Sequence, residues 1–392
     1  MTRTILHCIN SFSERGGGVA FALKSLCETL EGYSHVILAL RDDQPVLDLS
    51  QARLRLFERT GPFTLSYSRG LEAGLRAELH RTPDALVHVH GMWSGLGWSV
   101  DRLRRRSAGL GYVVSPHGML SPAALDRRRR IKAIMARLWE RALLQNAQAV
   151  HCLTPVEVRH ALGFEAGLRV AVQPHSVAFP MSQAGLTQSW AQGRDGRKTL
   201  LYLGRIHQTK GVLALVDALE ARAQGGRGVG FRLAIAGIGA PDSIAALKAR
   251  IAGSRADISF LGPVFGAAKD RLLQEVHGMI LPSQTEGLPM SLIEGAAHAL
   301  PLFITQECNL DWVEPAQAGL CLPYGGAGID ALIDRFDSAS KPDLAAMGLR
   351  AAQIARNLYA PQIVQAGWQD IYARAALSPT LAPTSALAPG PS

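Results

Sequence analysis

Apolar, β-rich runs alternate along this chain with longer stretches whose apolar residues recur every three or four positions. TILHCI leads through a Gly-rich turn into VAFALKSLCETL, and HVILAL, ALVHVH and YVVSPH follow, each closing in a polar or Gly-containing loop. Short apolar runs bounded by turn residues read as strands, and the 3.6-residue periods between them as covering helices. The second half repeats the alternation with TLLYLGR and VLALVDALEAR, FRLAIAG and SIAALKARIAG, ISFLG and KDRLLQEV, GMILPS and MSLIEGAAHA, then PLFIT. Such alternation predicts parallel sheets joined by right-handed crossovers, hence an α/β chain of two doubly wound domains. The domains are expected at residues 1–180 and 198–359, separated at 181–197 by MSQAGLTQSWAQGRDGR, which has neither period and reads as a loose linker. Residues 360–377 place Val364, Trp368, Ile371 and Tyr372 at helical spacing, and the Pro- and Ala-rich residues 378–392 are expected to be a disordered tail.

A length of 392 residues fits two domains better than one. With 47% hydrophobic and 19% charged residues the chain can bury a large core, which excludes a disordered protein. No apolar run approaches the ~20 residues that span a bilayer, and the short apolar stretch in MTRTILHCIN makes no export signal, so the cytoplasm is the expected location. The five cysteines, Cys8, Cys27, Cys152, Cys308 and Cys321, are scattered and form no C-x-x-C pair, which argues against a disulfide framework and a zinc ribbon. The net charge of +9 is concentrated: between Asp101 and Arg141 eleven basic residues meet three acidic ones, a local excess of +8. That segment is either a positive surface for phosphate-rich partners or a solvated helix face.

Doubly wound sheets bind ligands in the loops at the carboxyl ends of their strands. Four such loops stand out. Gly16-Gly17-Gly18 precedes a helix, where free backbone amides can hold a phosphate, although three glycines equally make a flexible turn. Gly204-Arg205-Ile206-His207-Gln208-Thr209-Lys210-Gly211 places an arginine at a strand end and a lysine at a helix entry, two cations that can converge on one diphosphate. Glu286-Gly287-Leu288-Pro289 opens a small-residue helix that carries Glu294, and two carboxylates around one helix start can accept hydrogen bonds from two sets of vicinal hydroxyls. Ser115-Pro116-His117-Gly118 puts a histidine at a strand end, able to donate to a reacting oxygen or a sugar hydroxyl, or simply a core or surface histidine.

With G-R-x-x-x-x-K-G and E-G-L-P-x-x-x-x-E both present, the chain resembles the retaining GT-B glycosyltransferases of the group 1, family 4 type. His88-Val89-His90-Gly91-Met92-Trp93 and SPHGMLSP at 115–122 look like the versions found in bacterial surface-polysaccharide transferases. The resemblance runs from the first strand to Trp368 and Tyr372. It implies two Rossmann-like domains facing across a cleft, an N-terminal acceptor side, a C-terminal half that holds the donor nucleotide, and a last helix that returns to the N-terminal domain. It implies that Arg205 and Lys210 bind the donor diphosphate, Glu286 the donor sugar hydroxyls and Glu294 the ribose. Gly287, Leu288 and Pro289 would shape the donor loop, Val264 would lie near the base, Gly17 and Gly18 would line the phosphate side, and His117 would reach the donor sugar from the opposite domain. The catalytic set so implied is His117, Arg205, Lys210 and Glu286. The co-substrate would be a nucleoside diphosphate sugar with no metal or other cofactor, the acceptor a glycan or a lipid-linked glycan, and the location peripheral on the anionic inner face of the plasma membrane. Retention would follow from the leaving phosphate assisting deprotonation of the acceptor on the same face, with no residue assigned as nucleophile. Two departures stand out: His175-Ser176-Val177-Ala178 replaces the family's asparagine-glycine-valine-aspartate turn, and His277-Gly278 an alanine-aspartate pair, the latter read as structural.

Other classes fit less well. His88, His90 and His117 lack a fourth ligand at recognisable spacing, and there is no D-x-D, so no metal is predicted. Gly237-Ile238-Gly239 stops short of a dinucleotide fingerprint, and serine-hydrolase and triphosphatase motifs are absent. A nucleotide-sugar epimerase of the same architecture remains open. A nucleic-acid-binding reading of Arg127 to Arg130 ranks last, because no aromatic residue interleaves that run, and no nucleic acid partner is expected.

Overall fold

Strands rich in Ile, Leu and Val, buried on both faces, build two parallel sheets in the computed structural model, which describes residues 2–61, 65–106, 110–192 and 196–377. The first sheet contains β1 (Arg3–Ile9), β2 (Tyr33–Leu40), β3 (Ala52–Phe57), β4 (Leu86–His90), β5 (Tyr112–Ser115), β6 (Ala149–Cys152) and β7 (Val170–Val172), in the order β3-β2-β1-β4-β5-β6-β7. The second contains β8 (Lys198–Leu203), β9 (Phe231–Ala236), β10 (Ile258–Gly262), β11 (Gly278–Leu281), β12 (Leu302–Thr305) and β13 (Gly319–Leu322), in the order β10-β9-β8-β11-β12-β13. Strand order reverses between β1 and β4 and again between β8 and β11. Loops leaving those strands therefore open into the crevices where doubly wound sheets take ligands.

Three short strands escape the apolar pattern. In β3, Arg53 and Arg55 alternate with leucines because this edge strand turns one face to Glu78, which takes an ion pair from each arginine. β6 (AVHC) carries a polar ring among its four residues, and β13 (GLCL) opens on a glycine and is only half-buried.

The chain divides into two compact units, Met1–Ser176 with Pro361–Ser392, and Val177–Ala360. The stretch 181–197, expected to be a loose linker, contains a helix, Gln183–Gln192, that packs on the second unit. Leu186 is buried with Ala299 and Ala352, and Trp190 Nε1 donates to the Ala299 carbonyl at 2.8 Å. Leu186 and Trp190 lie four apart, one helical turn, within an otherwise polar segment. Residues 378–392, expected as a disordered tail, lie outside the described residues.

The helix Pro361–Leu377 seats Val364, Trp368, Ile371 and Tyr372 on the first sheet against Ile5, Leu86 and Val113. A polar chain locks it there. His151 Nε2 lies 2.6 Å from the Gln173 carbonyl, which can only accept, so His151 Nδ1 is a lone pair that accepts a hydrogen bond from the Ser115 hydroxyl at 2.7 Å. Ser115 Oγ in turn accepts from His88 Nε2, and His88 Nδ1 accepts from the Tyr372 hydroxyl, both at 2.7 Å. The Trp368 ring covers His88 and His151, with centroids 5.2 and 4.4 Å away.

Burial keeps these imidazoles neutral. It holds His88 well below the usual histidine range, with neighbouring His90 adding to the effect, and lowers His151 to about 3 and His175 to about 4. His7, His35, His90 and His117 are lowered for the same first reason. An unfolded chain binds protons on these rings below about pH 6.5 while the native chain does not, so stability is complete above that pH and falls as pH drops, by about 1.4 kcal/mol per pH unit for each ring. Urea midpoints measured at pH 7.5 and 5.5 should fall steeply with acid; equal midpoints would contradict neutral burial.

Candidate functional site

In the second unit the loops after β8 and β11 meet at backbone contact. Ile206 is buried and donates its amide to the Ile238 carbonyl at 2.7 Å, which keeps the β8 loop alongside the loop after β9. A short 3₁₀ turn, Gln208–Lys210, then ends at Gly211, whose φ of 70° is left-handed. A Cβ on Gly211 would stand 1.8 Å from the Pro282 carbonyl oxygen, so only glycine lets the loops approach this closely. Gln284 N–H and Ser283 Oγ both donate to the Thr209 carbonyl, at 2.8 and 3.1 Å.

This clamp places two of the candidate residues together. Lys210 Nζ is 2.7 Å from Glu286 Oε1 and donates to the Thr285 carbonyl at 3.0 Å, with the lysine and glutamate side chains only 10% and 12% exposed. Partial burial weakens solvent screening of the pair. Asn309, at a left-handed φ of 57°, donates to the Glu286 carbonyl at 2.5 Å, and the Glu286 amide donates to the Glu307 carbonyl at 3.0 Å. Leu288 packs against the core, Gly287 is half-buried, and Pro289 takes the N-cap position of the helix Met290–Ala297. That helix is small-faced because it lies on β11: a Cβ at Gly295 would be 1.9 Å from Met279 Sδ.

Arg205, Lys210, Glu286 and Glu294 do not form one contacting cluster. Glu294 pairs with Lys269 at 2.6 Å, a cation from the helix Gly266–Glu275 that the motifs do not contain. Arg205 is exposed and makes no ion pair among the described residues, although its carbonyl accepts from the Tyr202 hydroxyl at 2.8 Å. Val264 is half-buried against the core just after β10. Burial, with Glu286 as the next cause, pushes the Tyr202 phenol up and the Cys308 thiol up to about 12, so both stay neutral. Asn309, Ser283 and Lys269 were the residues missed; the only signal for Lys269 was its place one turn into the helix that follows β10.

In the first unit the three glycines after β1 differ in role. A Cβ on Gly16 would come within 2.5 Å of the Ser11 carbonyl oxygen, whereas Gly17, at φ 53°, and Gly18 have nothing within 4 Å. The helix Gly17–Thr29 starts there with no side-chain cap. His117, at φ 51°, and Gly118, at φ 75°, form a left-handed pair after β5. This turn is tied to the loop after β4, since Trp93 Nε1 donates to the Met119 carbonyl at 3.1 Å and Trp93 N–H to Glu140 Oε1 at 2.7 Å. His117 Nε2 lies 3.2 Å from His90 Nδ1, and the His117 ring stacks on His175 at 6.2 Å. His175 thus fills its departure from the family turn with a ring against the candidate histidine. His277, the other departure, is buried and ties β11 to β8, its Nδ1 accepting from the Thr199 amide at 3.1 Å. His7, His88 and His90 bring ring nitrogens within 4.8 Å of one another. All six of those nitrogens are engaged in hydrogen bonds to His35, His117, Tyr372, Ser115 or each other, which leaves none free to ligate an ion.

Gly211→Ala should break the clamp, because it adds a left-handed cost of about 1–2 kcal/mol to a backbone clash, and thermal melting should register a clear loss. Gly18→Ala, which enters open space, should melt like the parent. A Gly211→Ala protein with unchanged melting would mean the two loops are not in contact.

Residues 17–175 match the glycosyl transferase 4-like domain, and residues 197–338 the glycosyl transferases group 1 domain. The alpha-D-kanosaminyltransferase of Streptomyces kanamyceticus is 28% identical over 262 residues, which make up 63% of this chain and 66% of that protein. The match thus spans just under two thirds of that relative's length. Among solved structures, the sucrose-phosphate synthase of Thermosynechococcus elongatus superposes with a TM-score of 0.71 at 17% identity, covering 95% of this chain and 98% of that one. Anabaena HepE in complex with UDP and glucose superposes with a TM-score of 0.70 at 14% identity, covering 95% and 99%. At these identities the structural likeness speaks for the fold. A glycosyl transferase 4-like domain thus matches within the first unit and a group 1 domain within the second, and both sheets have the parallel, doubly wound order of a GT-B fold.

Proposed function

We propose that this protein moves a sugar from a nucleoside diphosphate sugar to a glycan or lipid-linked acceptor, with retention of anomeric configuration, in the assembly of a surface polysaccharide. The observation that carries this reading is the Lys210–Glu286 pair held at the head of the helix Met290–Ala297. A donor diphosphate would draw the lysine and free Glu286 to accept from sugar hydroxyls, while Glu294, steadied by Lys269, would accept from the ribose. The bond from the sugar's anomeric carbon to phosphate breaks as the acceptor oxygen bonds to that carbon on the same face, and the acceptor proton passes to the departing phosphate. Lys210 and Arg205 would stabilise the charge that grows there, so no metal is needed. The kanosaminyltransferase is by name a sugar transferase, which supports transfer over epimerisation.

The acceptor reading draws on the basic segment. Arg104 and Arg105 pair with Asp101, and Arg141 with Glu165, but Arg127 to Arg130 make no ion pair among the described residues. The helical run that follows them exposes Ile131, Ile134 and Leu138 by 43%, 60% and 62%. Apolar side chains at that spacing beside unpaired arginines suit a helix lying in an anionic lipid surface. An adjoining groove of about 530 Å³ is lined by Trp93, Leu125 and Phe164 together with Arg129, Lys132 and Arg137. No helix among the described residues is long and apolar enough to cross a membrane.

In a panel of UDP and GDP sugars, one donor should raise the melting temperature and be slowly hydrolysed, with or without EDTA. Lys210→Ala should lower turnover of that donor by roughly 100-fold or more, and the Lys210→Ala/Glu286→Gln double variant separates this from the cost of an unpaired buried carboxylate. Stabilisation by none of the donors, or near-normal turnover of both variants, would overturn the reading. The protein should sediment with phosphatidylglycerol vesicles and not with phosphatidylcholine ones, and Ile134→Ser/Leu138→Ser should lose most of that association. Undiminished association would remove the membrane proposal.

A further inference from the structure

Four imidazoles cross the first sheet in a single hydrogen-bonded file. His35 Nε2 lies 3.2 Å from the Leu30 carbonyl oxygen, His35 Nδ1 is 3.0 Å from His7 Nε2, His7 Nδ1 is 3.0 Å from His90 Nε2, and His90 Nδ1 is 3.2 Å from His117 Nε2. The spacing comes from the sheet itself: His35 on β2 pairs with Ile5 and His90 on β4 with Ile9, each two residues from His7 on β1, so the three rings lie on one face along a diagonal, and His117 follows β5. Three of the rings, His7, His35 and His90, are almost wholly buried.

The file has only one consistent polarity. A carbonyl cannot donate, so His35 must carry its proton on Nε2 and offer a lone pair at Nδ1. His7 must then donate through Nε2, His90 likewise, and His117 likewise, each neutral ring having one N–H and one lone pair. Burial favours the neutral form at every ring and so excludes the cation that would break the sequence. His117 Nδ1, at the outer end, has no hydrogen-bond partner among the described residues.

We propose that His7, His35 and His90 are positioning residues that hold His117 in its Nε2–H tautomer, so that His117 Nδ1 accepts a hydrogen bond from a sugar hydroxyl. The orientation is opposite to a donating histidine. The file also differs from a proton conduit: a proton arriving at Nδ1 and handed inward would stop on His35, because the Leu30 carbonyl cannot take it. His117 therefore orients a hydroxyl without serving as its general base. That His117 meets a sugar rests on the function proposed above; the tautomer does not.

Nitrogen-15 NMR of histidine-labelled full-length protein at neutral pH reads the tautomer without any ligand. His117 should show a protonated-type Nε2 and an unprotonated-type Nδ1. His35→Phe removes the ring that faces the carbonyl and should let His117 become a mixture of both tautomers. His35→Gln, whose amide can donate to Leu30 and accept from His7, should restore the single form at equal melting temperature. A protonated Nδ1 in the parent protein, or a His35→Phe spectrum unchanged at His117, would overturn the proposal. The sugar's source is read by titration with the donor that the panel identifies, with its nucleoside diphosphate alone, and with octyl glucoside as an acceptor-like sugar. An Nδ1 shift with the intact donor but not the diphosphate assigns the hydroxyl to the transferred sugar, and a shift with the glucoside assigns it to the acceptor. No shift with any of them would overturn the accepting role, while the ligand-free tautomer readout stands apart from the donor assignment.

Discussion

The approach of the Gly211 backbone to the Pro282 carbonyl governs how the loops at the strand ends of the second unit fit together. Once those loops touch, Thr209 accepts two hydrogen bonds from the partner loop, and Lys210 has Glu286 within reach as it turns into the helix. The same closeness explains the residue types around it. A left-handed glycine ends the 3₁₀ turn, an asparagine in the left-handed region holds the Glu286 carbonyl, and a glycine on the following helix makes room for Met279. Side-chain chemistry here is the outcome of a main-chain fit.

The units solve the problem of buried polarity in different ways. The second shields a lysine by giving it a carboxylate and a carbonyl. The first, whose ion pairs lie at its edge strand and helices, runs neutral rings and hydroxyls across its sheet in two files that each end on a main-chain carbonyl, Leu30 and Gln173. An ion pair can be drawn apart by an incoming ligand of matching charge, whereas a neutral file resists protonation and keeps its direction.

Much of this was legible along the chain, and the limits are physical. Strands such as TILHCI and TLLYLG declare themselves because burial on both faces leaves no polar position to confuse the period. Edge strand β3, with Arg53 and Arg55, hides because half of it faces a carboxylate. Lys210 and Glu286 carried motif signals, and the structure brings them into contact. Lys269 and Asn309 carried none, because each matters only through contacts 25 and 23 residues away in sequence that the fold creates. The imidazole file was equally hidden: His7, His35, His90 and His117 sit on four separate segments, and each histidine taken singly looks like any core or surface ring. Polar composition at 181–197 pointed to a linker because Leu186 and Trp190 are the two apolar anchors of a helix otherwise faced with polar residues.

The first unit is made from both ends of the chain, with the whole of Val177–Ala360 inserted before Pro361. During synthesis on the ribosome its sheet is complete by Val172, yet His88 Nδ1 has no phenol to accept from, and the seat of Trp368 is bare until nearly two hundred further residues have emerged. The inserted unit has its full core before then and can fold first. Vectorial folding of this polypeptide is therefore out of register with its order of translation: the domain that begins first finishes last, and a nascent chain stalled short of Tyr372 presents an unsealed apolar face to chaperones.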